Sequence, residues 1–161
     1  MAGPLTLRDL WRSRRASVTA HAALHPFLPA LGITDLARPV RAATDDWSDA
    51  YLIGFLTASI SLIARNTAPR LSSDGLGHVQ CKVYSALTGV PGDLVAERII
   101  RFSLGRDLVF MTGCADALTF TSALAAEAAQ ADIADAGLRS ESISLWQLYV
   151  GGRLADLQPG S

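Results

Sequence analysis

Lysine is nearly missing from this chain: of its 14 basic residues 13 are arginine, and Lys82 is the exception. We read a GC-rich bacterial source from that bias and no function. Cysteine is scarce too. Cys81 and Cys114 cannot build a disulfide framework, so reduced thiols and a cytoplasmic setting are the expectation. Charge is low at 18% of residues, against about 25% in ordinary globular chains, and it balances to −1. No whole-molecule field draws nucleic acid or anionic lipid, so any such binding must be local. A secretory signal is not expected, because Arg12, Arg14 and Arg15 lead into Ala-Ser-Val-Thr-Ala-His, too polar for its apolar core. The uncharged stretch from Ala50 to Ala64 is 15 residues long and holds Thr57, Ser59 and Ser61. A membrane span needs about 20 apolar residues, so this stretch reads as a buried helix. No serine stands in a Gly-x-Ser-x-Gly elbow and no glycine-rich phosphate loop ends in Lys-Ser or Lys-Thr, so no cofactor is expected and enzymatic function has no positive support.

What the chain has in abundance is alanine and leucine, 26 and 23 of its 161 residues, both strong helix formers. With 50% hydrophobic residues, it reads as one mainly α domain over residues 1–161, a bundle of five or six helices. Helical spacing predicts a first helix over 6–25, opened by Thr6 with Asp9 three residues on, as in a capping box. Leu7, Trp11, Val18 and Ala22 form one stripe of it, while Arg8, Arg12 and Arg15 form a basic one. A central helix is predicted over 44–65, capped at Thr44, with Asp45 and Asp46 suiting the positive end of its dipole. Ala50, Gly54 and Ala58 make a small-residue ridge that would admit a partner helix closely. Further helices are expected over 76–88, 91–104 and 114–134. Leu108 to Met111 reads as strand or helix, and the tail, 142–157, as a helix or as a small hairpin turning at Gly151-Gly152.

The central helix is apolar on nearly every side, more than a domain of this size comfortably covers. Trp47, Tyr51 and Phe55 are therefore its candidate surface for a partner, a second copy or a small apolar ligand. The basic stripe of Arg8, Arg12 and Arg15, with Arg14 beside it, is a second candidate, able to touch RNA, DNA phosphate or an anionic membrane surface, although a solvated face that pairs acids of a neighbouring subunit is the favoured reading. Residues 76–104 resemble a helix-turn-helix, yet Gly92 and Asp93 open the would-be recognition helix and its charges cancel, which makes nucleic acid the weaker partner. His78, Cys81 and Cys114 are the weak metal candidates, without the paired spacing of a zinc site, and a metal-dependent enzyme is the least supported reading. His21 and His25 share a helix face, and Asp45, Asp46 and Asp49 cluster, both patterns that dipole and capping chemistry explain. The reading with most behind it is a non-enzymatic helical protein acting by self-association or partner binding.

Overall fold

The computed structural model describes residues 6–28, 45–130 and 140–157, and these are mainly helical, with no strand among them. Helix α1 is Leu7–Leu24, closed by the 3₁₀ turn His25–Phe27; α2 is Ala50–Thr67, α3 Ser73–Thr88, α4 Gly92–Leu104 and α5 Leu108–Gln130. The last described stretch holds α6, Ser140–Trp146, a π-helical turn Gln147–Gly151, and the short α7, Gly152–Asp156.

The cap at Thr6 forms as the sequence suggests: its hydroxyl accepts the Asp9 amide at 3.2 Å and donates to the Asp9 carboxylate at 2.8 Å. The side of α1 that faces the protein, however, is Ser13, Ala16, Ser17, Ala20 and Leu24. Small residues let α1 approach α3 closely, so that a Cβ on Gly75 would lie 3.1 Å from Ser13 Oγ. The Leu7, Trp11 and Val18 stripe consequently points to solvent.

Helix α2 begins later than Thr44, which lies outside the described residues. Asp45 to Ser48 form a separate turn, Asp49 is extended, and its carboxylate accepts the Tyr51 amide at 2.9 Å. Asp49 is thus the cap that the sequence assigns to Thr44, because the chain bends before the helix starts. The small-residue ridge does admit a partner. A Cβ on Gly54 would overlap the Phe110 carbonyl, and one on Gly113 would overlap the Tyr51 carbonyl, so α2 and α5 cross with their backbones in contact. Leu52, Ile53, Phe55, Leu56 and Ile60 are fully buried there.

Gly89, in the left-handed region at φ 78°, ends α3, and buried Val90 fills the corner before α4. Leu108 to Met111 is the first turn of α5, because the Asp107 carboxylate accepts the Val109 and Phe110 amides at 2.9 and 3.0 Å. The hairpin at Gly151-Gly152 does not form. Both glycines have helical backbone, and Trp146 and Val150, four apart, bury on one side of the continuing helix. Trp146 closes an aromatic centre with Phe27, Phe55 and Phe120, ring centroids 5.4, 5.9 and 5.5 Å away.

Candidate functional site

Trp47, Tyr51 and Phe55 lie inside their own chain. Trp47 accepts the Tyr84 hydroxyl on its carbonyl, and Tyr51 donates its hydroxyl to Asp116 Oδ2 at 2.7 Å. Phe55 is ringed by Tyr51, Phe120, Trp146 and Tyr149. Burial, then the Asp116 hydrogen bond and charge, push the Tyr51 phenol well above its usual pKa, and complete burial pushes Tyr84 up as well. Beside them Arg153 donates to both oxygens of Asp49, with Nη2 to Oδ1 at 2.7 Å, and that hydrogen-bonded pairing raises its own pKa. These groups join α2, α5 and the tail, and each has its intramolecular partner.

The candidates for metal and acid chemistry disperse. Among the described residues no three of His, Cys, Asp or Glu come together. Exposed His78 and half-buried Cys81 lie on α3, while Cys114 Sγ rests 3.5 Å from the Gly54 carbonyl. Burial raises both thiols, the opposite of what a nucleophilic thiolate needs. The His21 and His25 rings do meet, at 5.1 Å between centroids. Of the acidic trio, Asp45 is exposed and Asp49 is the cap and the partner of Arg153. On α4, the exposed side chains of Asp93 and Glu97 stand beside Arg101 and Ile100, a poor surface for a phosphate backbone.

The surface best suited to an interaction runs along α5 and was not singled out by the sequence. Phe110, Gly113, Ala117 and Phe120 bury one side. The opposite side exposes Leu108, Met111, Ala115, Leu118, Ser122, Ala125 and Ala129, at alternating steps of three and four. Leu108 is 77% and Leu118 55% exposed, and Leu104, at the end of α4, is 82% exposed. The acids of α5 are both engaged inside the chain: Asp116 by Tyr51, and Glu127 by the Ser142 amide and hydroxyl at 2.9 and 2.6 Å. The outward stripe is therefore uncharged. Next to it a cleft of about 360 Å³ lies among Ala58, Leu62, Ile99, Phe110, Cys114 and Leu118. Among the described residues, α5 is also the one helix long and apolar enough to cross a membrane by length and composition, with 22% of its apolar window buried. The three-four spacing was the available signal, hidden by the alanines and by the ambiguity at Leu108 to Met111.

Arg8, Arg12 and Arg15 lie on α1, Arg8 and Arg15 exposed and Arg12 half-buried. Arg12 Nη1 donates to the Arg70 carbonyl at 3.2 Å, and the Arg15 guanidinium sits 6.0 Å from the Trp11 ring centre. No protein-family model, no curated protein and no solved structure matches this chain.

Proposed function

We propose that this protein works as a self-associating interaction module, its α5 pairing antiparallel with α5 of a second copy about a two-fold axis. The observation that carries this reading is the uncharged outward stripe of α5, with heptad-like steps, on a helix exposed along its length. Its bulky residues, Leu108, Met111 and Leu118, occupy the first half, and Ser122, Ala125 and Ala129 the second. An antiparallel partner sets Leu108 against Ala129 and Met111 near Ala125, so large meets small at both ends, with the small pair Ala115 and Ser122 between them and Leu118 beside its own copy near the axis. A parallel pair would set large against large at one end and leave gaps at the other. At about 1.5 Å per residue, the 23 residues of α5 give a contact roughly 35 Å long. Leu104 and Ile100, exposed at the end of α4, lengthen the apolar surface. This keeps the expectation of self-association while moving its surface from the buried Trp47, Tyr51 and Phe55 to α5.

Sedimentation velocity and light scattering test the reading. The wild-type chain should sediment as a dimer at micromolar concentration. Leu118→Glu, which sets two carboxylates beside the axis, should weaken dimerisation at least tenfold, about 1.4 kcal/mol, with helical content unchanged. A wild-type chain that stays monomeric at about 100 μM, roughly 5.5 kcal/mol of association, defeats the proposal.

A further inference from the structure

Helix α1 offers a second surface, independent of α5. Because Ser13, Ala16, Ser17, Ala20 and Leu24 face the protein, the far side of the helix carries Leu7, Trp11, Val18 and Ala22, all exposed, with Trp11 64% accessible. Exposed Arg8 and Arg15 border this stripe on one flank and exposed Arg14 on the other. Trp11, Arg12 and Arg15 also meet Thr67 and Arg70 across a cleft of about 240 Å³, where α1 passes the end of α2. Among the described residues no acid lines that cleft and none forms an ion pair with these arginines. Asp9, the acid of α1, is engaged in the Thr6 cap. A chain that balances to −1 thus gathers a local excess of positive charge around an outward tryptophan.

We infer that α1 lies on an anionic phospholipid surface, with Leu7, Trp11 and Val18 in the interfacial layer and the flanking arginines on lipid phosphates. A tryptophan and aliphatic residues on the outward midline, with cationic flanks, match the cross-section of a helix lying in the headgroup region. Tryptophan favours that depth, and arginine stems can follow the apolar surface while their guanidinium groups stay with phosphate. A nucleic acid would satisfy the arginines but leave Leu7 and Val18 in water. A protein partner would have to bring acids to both flanks of an apolar strip.

Flotation with vesicles of mixed phosphatidylcholine and phosphatidylglycerol tests this, with pure phosphatidylcholine as the neutral comparison and brominated acyl chains as a quencher. Trp47 and Trp146 are buried and α5 has no tryptophan, so Trp11 reports contact with lipid. The protein should float with the mixed vesicles and not with the neutral ones. Brominated lipid should quench its emission, and Trp11→Phe should abolish the quenching. Each of Arg8→Gln and Arg15→Gln should weaken partitioning about fivefold, with circular dichroism unchanged because both side chains are exposed. The inference fails if the folded protein ignores mixed vesicles, if the double arginine variant binds them as well as wild type, or if binding leaves Trp11 unquenched. It fails equally if single-stranded RNA binds through these arginines while vesicles do not.

Discussion

At the residue scale, glycines with the same sequence symbol have opposite consequences. Gly54 and Gly113 stand where α2 and α5 touch backbone to backbone, so an added methyl meets a carbonyl oxygen that neither helix can withdraw alone. Gly54→Ala or Gly113→Ala should cost about 1–3 kcal/mol by overpacking. Gly77, in α3, has open space around its would-be Cβ and lies in a helix interior. There alanine should add about 0.5–1 kcal/mol by removing glycine's excess freedom in the unfolded chain. Urea midpoints of the three variants check both signs at once, and equal effects at Gly54 and Gly77 would refute the contrast. The ridge of Ala50, Gly54 and Ala58 made the first site legible in sequence. Gly113 was not legible as its counterpart, since nothing in one helix's spacing says which residue of another will oppose it.

At the scale of elements, capping chemistry decided what hydrophobic spacing left open. Leu108 to Met111 suited strand or helix equally, and the hydrogen bonds to Asp107 commit it to helix. The tail was open for a similar reason: Gly-Gly is turn chemistry in isolation, and only the burial of Trp146 and Val150 against the rest of the chain holds it helical. Helix α2 misled in the other direction, since Thr44, Asp45 and Asp46 make a plausible start that Asp49 supersedes. Asp49 caps α2 and also anchors the tail through Arg153, whose side chain keeps 34% exposure while that of Asp49 keeps 7%. Asp49→Asn retains a cap and loses the ion pair; Asp49→Ala loses both. We expect the alanine variant to cost about 1–2 kcal/mol and the asparagine variant roughly half that. Combined with Arg153→Met, Asp49→Asn should show a coupling of about 0.5–1 kcal/mol in denaturant titrations, and strict additivity would mean that the pair carries no stability.

At the scale of the whole molecule, composition foretold a helical fold and mislocated its unsatisfied apolar surface. The central helix looked too apolar to be covered by its own chain, yet α1, α3 and α5 cover it, and the excess emerges on α5, whose alanines read as unremarkable. Burial also ties global stability to alkali. Tyr51 and Tyr84 stay protonated in the fold above their ordinary value of 10.0, whereas the unfolded chain ionises there. Their contribution is fully present below about pH 10 and is lost as pH rises toward their folded values, by about 1.4 kcal/mol per pH unit for each. The two thiols, raised by burial from 9.0, begin the decline earlier. Urea midpoints under reducing conditions should fall steeply between about pH 9 and 11, and Tyr84→Phe should flatten the fall while lowering stability at neutral pH by about 1 kcal/mol. A midpoint indifferent to alkali would show these phenols to be accessible to water. The close approach of α2 and α5, with Gly54 against the Phe110 carbonyl and Gly113 against the Tyr51 carbonyl, leaves its mark beyond stability. With two backbones touching, neither α2 nor α5 can roll about its own axis without driving a carbonyl into its neighbour. Substitutions on the free side of α5 can therefore change what the protein displays, while the direction of display stays locked.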